Sequence, residues 1–231
     1  MADTPHAPRH IGYIVDGNRR WAKSHGLPTY EGHLAGYNTL KEVIYETFAQ
    51  GVKYVSVYAF STENWKRGEG EVGKLMKLAL AVFKTDLGDF IQHNIRVRVL
   101  GIPDGLSDRV VEAAKVAEEQ TAHLTGGTLC ICFNYGGQRE IADAAKRCVA
   151  DGLSAEEITE DALAARLYAA DVPPVDLIVR TSGEQRLSNF MLWRSAYSEL
   201  LFLDKFWPDM EKSDVTAIIE TYTNRQRRYG G

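Results

Sequence analysis

Cysteine is scarce in this chain of 231 residues. There are 3, Cys130, Cys132 and Cys148, and none forms a Cys-x-x-Cys pair. Cys130 and Cys132 alternate within an apolar run and face one side of a strand, so they read as reduced core residues and point to a cytosolic compartment. Long apolar runs are missing too: none approaches the ~20 residues of a membrane span. Residues 1–8 have no apolar h-region, so a signal peptide is not expected; these residues are expected to be flexible and the protein cytoplasmic. Positive charge is not in excess. A net charge of −4 argues against a nucleic-acid binder, so any basic residues that matter must form local clusters. No Gly-x-Gly-x-x-Gly follows the first predicted strand, and no Gly-Lys-Ser/Thr stands at a strand–helix turn, which disfavours dinucleotide and P-loop sites. Phosphatases with an aspartyl nucleophile usually carry a second carboxylate two residues on, where this chain has Asn18. There is no internal repeat, low-complexity segment or dividing linker, so residues 1–231 are expected to form one domain.

What is present is an ordinary globular composition, 45% hydrophobic and 25% charged, long enough for a sizeable core. The most informative stretch is His10-Ile-Gly-Tyr-Ile-Val-Asp16-Gly-Asn-Arg-Arg-Trp21. Its apolar, β-prone first half predicts a strand buried on both faces. The run stops at Asp16, at the strand end where open α/β sheets bind ligands. Gly17 permits a turn, and Asn18 is expected to cap a following helix whose free N–H groups face an anion. A carboxylate beside Arg19 and Arg20 suggests a metal ion plus a phosphate; the alternative is a strand, a turn and a surface salt bridge.

Elsewhere, spacings of three and four predict helices over 32–50, 71–93, 107–124 (capped by Ser107), around 141–149, 160–168, and from about 213. Strands are predicted over 53–60, 95–100 (half-exposed or at an edge), 127–133 and 175–180, with a last one over 199–203. Strands alternating with helices imply a parallel sheet covered on both faces. Four polar clusters follow strand ends: Asp16 to Trp21, Ser61 to Arg67, Asn134 to Gly137, and Arg180 to Ser188. They should border one cleft, bringing Arg19, Arg20, Arg67, Arg180 and Arg186 near a single Asp16. So many guanidinium groups among few carboxylates fit a highly anionic ligand such as a diphosphate. His25 and His33 lack metal-ligand spacing and read as surface or helix residues, unless the anion site recruits His33. The wide apolar stripes on the helices from 32 and 71 are either simple core or the lining of a long pocket.

In the order in which they occur, these motifs resemble the cis-prenyltransferases, the undecaprenyl diphosphate synthase-like isoprenyl transferases. The matching segments are Asp16-Gly-Asn-x-Arg-Trp21, Gly32-His-x-x-Gly36, Tyr58-Ala-Phe-Ser-x-Glu-Asn-Trp65, Asn134-Tyr-Gly-Gly137, Asp176-Leu-Ile-Val-Arg-Thr-Ser-Gly-Glu184 with Ser188-Asn-Phe190, and Tyr197-x-Glu-Leu200. The resemblance implies one α/β domain with a mainly parallel sheet of about six strands and a hydrophobic tunnel. It also implies Mg²⁺-dependent condensation of isopentenyl diphosphate with an allylic prenyl diphosphate to a Z-prenyl diphosphate. By the same resemblance Asp16 and Glu199 hold Mg²⁺, and Asp16 and Asn64 are catalytic, Asn64 in proton handling. Gly17, Asn18, Arg19, Arg20, Trp21, Thr29, His33, Ser61, Thr62, Glu63, Trp65, Arg67, Arg180, Arg186, Leu187 and Ser188 bind substrate.

Arg228-Tyr-Gly230 matches a tail that implies a homodimer, its charges (from Arg225 on) being read as unpartnered within the chain. Peripheral membrane contact through the lipid product is a further implication. Two positions depart from some members: Arg19 replaces Gly, and Thr29 replaces an arginine contact to the allylic diphosphate. There is no Asp-Asp-x-x-Asp pair of the trans-prenyl synthases. Tyr37, one turn beyond His33, and Phe133 stand where long-chain members have small residues, which implies a short or medium product. The alternatives are a short-chain or non-head-to-tail synthase of this fold, and a non-catalytic regulatory subunit.

Overall fold

The computed structural model describes residues 7–225. Among these residues six strands pair in the order β3-β4-β2-β1-β5-β6, and every pairing is parallel. They are β1 (His10–Ile14), β2 (Tyr54–Ser61), β3 (Ile95–Leu100), β4 (Gly127–Tyr135), β5 (Leu177–Arg180) and β6 (Glu199–Phe202). β1 is central and wholly buried, as its apolar run predicts. The chain builds outward from β1 through β2 on one side, then returns to add β5 and β6 on the other. The crevice at that reversal, outside the carboxyl ends of β1 and β5, is where such sheets bind ligands.

Among the described residues eight α-helices surround the sheet: α1 (Asn18–Ser24), α2 (Thr29–Ala49), α3 (Glu69–Leu80), α4 (Leu87–Gln92), α5 (Asp108–Thr121), α6 (Gly137–Ala150), α7 (Glu160–Ala164) and α8 (Lys212–Asn224). One face packs against α2, α3, α5 and α8 around Val43, Val55, Phe83, Leu129 and Trp207. The other holds Cys130, Cys132, Tyr135, Ile178 and Phe190 in a second cluster. All three cysteines are free and buried, with Cys130 and Cys132 on the same face.

Three local expectations are corrected. The helix read over 71–93 is broken by a π-turn, Ala81–Thr85, closed by Asp86 N–H donating to the Ala81 carbonyl over 3.1 Å. The apolar stripe runs through the break, so periodicity does not reveal it. Neither Asn18 nor Ser107 caps a helix with its side chain: Asn18 is the first residue of α1, and Gly17 occupies the cap position. The segment to Tyr168 leaves the helix at Ala164. There the backbone N–H of Tyr168 turns to Glu140 Oε1 at 3.1 Å. Glu140 is fully buried and also accepts from Tyr135 Oη at 2.5 Å and Arg194 Nη1 at 2.7 Å. Arg194 donates further to the carbonyls of Tyr168 and Ala169, which fixes the start of β5, because Val175 N–H bonds the Arg194 carbonyl at 2.9 Å.

Candidate active site

Gly17 turns the chain from β1 into α1 at φ 107°, a conformation that strains other residues. A side chain there would also meet Ser182 and Phe206 at 2.9 Å. α1 then lies so close to α2 that a Cβ on Gly32 would stand 2.0 Å from the Asn18 carbonyl, and one on Gly36 2.4 Å from Asn18 Oδ1. The first-turn amides of α1 have no helical carbonyl to bond, and Asn18, Arg19 and Arg20 line the cavity they border.

Asp16 and Arg180 meet across the β1–β5 crevice. Arg180, only 4% exposed, donates from Nη2 to Asp16 Oδ2 at 2.8 Å. Its Nη1 reaches the Arg186 carbonyl at 2.6 Å and Ser188 Oγ at 2.7 Å, curling that loop around the guanidinium. Arg20 lies 3.5 Å from Asp16, and it bonds the Ser182 carbonyl and hydroxyl. Asp16 Oδ1 accepts from Gly17 N–H at 2.7 Å, and Thr181 Oγ1 donates to the Asp16 carbonyl at 2.6 Å. One carboxylate thus joins two groups of cations.

The opposite bank is the 3₁₀ turn Thr62–Lys66. Asn64 lines the cavity while its Oδ1 accepts from Ser61 N–H at 3.0 Å. Glu63 accepts from Asn189 at 3.0 Å, and a Cβ on Gly136 would press Thr62 Oγ1, so this turn is tied to the neighbouring strand-end loops. Arg67 Nη1 and His33 Nε2 both reach Glu71 Oε1, at 2.9 and 3.2 Å. Burial pushes the His33 pKa down, so a neutral ring donates to Glu71. Burial would raise Glu71, but the His33 bond and the Arg67 and Arg19 charges outweigh it and hold the carboxyl below its ordinary range.

Beneath this mouth is a cavity of about 960 Å³. Asp16, Gly17, Asn18, Arg19, Arg20, Thr29, His33, Asn64 and Arg67 line its upper part; Leu40, Val57, Leu75, Val82, Phe83 and Ile131 line the rest. Tyr37 and Phe133 both face it. The apolar stripes of α2 and α3 therefore wall a pocket as well as serving the core. Arg180, Arg186, Leu187 and Ser188 lie outside this lining, on the far side of Asp16, with Leu187 packed on the second core cluster.

Several expected residues stand elsewhere. Trp21 turns away from the cavity, donating to Asp209 Oδ1 at 2.6 Å and stacking on His25. Trp65 donates to Asn134 Oδ1 at 2.8 Å at the rim. Glu199 begins β6 in register with Leu177, whereas Asp16 follows β1 beyond Arg180, so the two lie at opposite ends of the sheet. Glu199 is ion-paired with Arg225 at 2.9 Å, and that separation along the sheet keeps it from sharing a metal ion with Asp16 of the same chain. That pair also corrects the reading of Arg225 as unpartnered; the rest of the tail, 226–231, lies outside the described residues. Nor are carboxylates few at the mouth. Glu184 pairs with Arg20 and Arg186, held below its ordinary range chiefly by Arg186, and Glu71 pairs with Arg67. Among the described residues Arg19 forms no ion pair. Thr181, Ser182 and Glu184 lie inside the Arg180 to Ser188 cluster, Asn189 directly after it and Glu71 shortly after Arg67, but the sequence does not single any of them out as a site residue.

An arginine-rich mouth at the strand ends, with an apolar chamber directly below, defines a protein that takes an anionic head group and a hydrocarbon tail together. A family profile described as putative undecaprenyl diphosphate synthase matches residues 14–230, and the chain belongs to this prenyltransferase family. It is 49% identical to a trans,polycis-polyprenyl diphosphate synthase ((2Z,6E)-farnesyl diphosphate specific) of Thermobifida fusca, over 97% of this chain and 81% of that protein. It is 43% identical to a ditrans,polycis-undecaprenyl-diphosphate synthase ((2E,6E)-farnesyl-diphosphate specific) of Micrococcus luteus, over 97% of this chain and 92% of that protein. Among solved structures, lavandulyl diphosphate synthase of Lavandula x intermedia, in complex with dimethylallyl diphosphate, superposes with a TM-score of 0.94 at 31% identity, covering 97% of this chain and 99% of that one.

Proposed function

We propose that this chain condenses isopentenyl diphosphate with an allylic prenyl diphosphate to form a Z-prenyl diphosphate. The observation that carries the reading is the cavity itself, cationic at the mouth and apolar below, with Asp16 at its lip and Arg180 bonded to Asp16 from the far side. The allylic C–O bond breaks, its electron pair leaving with the diphosphate; the isopentenyl double bond attacks the allylic carbon, and a proton is lost. Charge builds on the departing diphosphate, where Arg19, Arg20 and the α1 amides are placed to stabilise it. The second diphosphate goes to Arg180, Arg186 and Ser188. Asn64 lines the cavity with its Oδ1 held by Ser61 N–H; a carboxamide is no base at neutral pH, so its part is to position the diphosphate oxygen that receives the proton.

Among the described residues no three His, Cys, Asp or Glu side chains group as a metal site. Mg²⁺ is commonly held by one or two carboxylates plus substrate phosphates, and Asp16 fits that mode; the ion would supply positive charge at the departing diphosphate. A homodimer is part of the proposal, supported by the edge strand β6 with Leu200 and nearby Tyr197 exposed, the latter by 82%. Light scattering that finds an active monomer would remove it. A cytoplasmic location accords with the finding that, among the described residues, no helix is long and apolar enough to cross a membrane.

The test is incorporation of radiolabelled isopentenyl diphosphate by the purified protein with Mg²⁺, using several allylic starters. Butanol-extractable product whose carbon skeleton is head-to-tail is expected. No incorporation with any starter would favour a non-catalytic subunit, and a branched skeleton would favour irregular coupling.

A further inference from the structure

Below the large cavity lies a second one of about 30 Å³, sharing Tyr37, Leu40 and Val82 with it and closed by Ile44, Tyr45 and Phe90. That is about one water's share of liquid volume, too small for an isoprene unit. The apolar path therefore stops at Tyr37 and Val82, although the space beyond is apolar as well. Beside the stop stands a charged group. Tyr37 O–H donates to Asp86 Oδ2 at 2.7 Å, and Lys41, one turn further along α2, donates to Asp86 Oδ1 at 2.8 Å and Asp89 Oδ2 at 2.9 Å. Asp86 is 2% exposed, so its carboxylate depends on these two donors. It directly follows the π-turn, which carries Val82 and Phe83 to the cavity wall. An extra residue in a helix rotates the next turn by roughly 100°, and here it brings Asp86 round to α2.

We propose that the Tyr37–Asp86–Lys41 clamp is the floor of the hydrocarbon site and sets how long a tail it accepts. A tail can advance only if the Tyr37 ring swings away, and that breaks a hydrogen bond to a buried, charged carboxylate. Ring bulk alone would yield by small adjustments of the wall; a ring bonded to a paired charge does not. The clamp also locks the π-turn, so Val82 and Phe83 are held along with Tyr37. The inference rests on the prenyl-transfer reading for its biological meaning, not for its test.

Affinity is measured by calorimetry for unreactive n-alkyl diphosphates of increasing length. For wild type it should rise by roughly fourfold per buried methylene until the tail meets the floor, then stop rising. In Tyr37→Phe, which keeps the ring and loses the bond, and in Lys41→Met, the break should move to longer chains. The same variants should give products at least one isoprene unit longer in turnover assays. If wild type shows no break, there is no floor at this depth, and if the break is unmoved in Tyr37→Phe while Tyr37→Ala alone extends it, ring volume is the whole stop; either result overturns the clamp. Tyr37→Phe removes a single oxygen atom, so it decides the matter should Lys41→Met not fold. A wild type that turns over no isopentenyl diphosphate would sink the proposed function, while the alkyl series would still judge the floor.

Discussion

Replacing Arg194 by methionine removes the cation from a pair that has almost no contact with water. Glu140 is fully buried, and Arg194 is 4% exposed. The change deletes the 2.7 Å ion pair and the bonds to the Tyr168 and Ala169 carbonyls, and leaves the Glu140 carboxylate with two neutral donors, Tyr135 O–H and Tyr168 N–H. Removing one partner of a buried pair costs about 3–5 kcal/mol, because the other charge stays behind. In a domain of this size each kcal/mol moves the melting temperature by about 2–4 °C, so a drop of roughly 6–20 °C is expected. Adding Glu140→Gln removes the stranded charge; its Oε1 can still accept from Tyr168 N–H while its N–H₂ donates to the Tyr135 hydroxyl oxygen, so most of the loss should be restored. Urea titrations followed by circular dichroism would measure both variants. A single variant within about 1 kcal/mol of wild type, or a double variant no better than the single, would refute the reasoning.

Asp16→Ala should leave the fold intact and lower turnover at least a thousandfold, about 4 kcal/mol in the transition state; near-normal rates at saturating Mg²⁺ would remove Asp16 from its role. Gly32→Ala sets a methyl group against the Asn18 carbonyl, so α1 must move; we expect a melting point several degrees lower and severe loss of activity, and an unaltered enzyme would contradict the close packing. His10 is buried, its Nδ1–H donating to the Pro173 carbonyl and its Nε2 accepting from Ser56, and burial holds its pKa down from 6.5 to about 4. Since the unfolded chain takes up the proton first, the stability due to this group is complete above pH 6.5 and is lost as pH falls towards 4, by roughly 3 kcal/mol; His10→Gln should lack that part of the acid limb. Deleting residues 228–231 should raise the apparent KM for isopentenyl diphosphate if the tail reaches a partner's site, and an unchanged KM would dispose of that idea.

The sheet was readable because each buried strand is an apolar run that ends in polar or turn-forming residues, as β1 does at Asp16. The break in the helix after Leu80 was not, because the π-turn keeps the apolar stripe of α3 intact while changing its direction. Pairings between distant segments were equally hidden: nothing near Glu71 announces His33, and 49 positions separate Tyr37 from Asp86. The five arginines were found, but not the carboxylates Glu71 and Glu184 that pair with three of them. The distance of Glu199 from Asp16 was not legible either, since it is strand register that places the two at opposite ends of the sheet within one chain. Tyr37 and Phe133 fared better, because helical spacing and strand position fix which way they face.

The two ends of the cavity are made of different material. Gly17, Gly32 and Gly36 shape the head-group end through packing so close that no side chain fits at those positions. Tyr37, Val82 and Phe133 shape the tail end with side chains, each open to exchange for a smaller or larger one. Mutational drift can therefore retune the tail in single steps while the diphosphate chemistry stays as it was. A library randomised at the three glycines should return glycine, and one randomised at the three wall positions should return a spectrum of active enzymes.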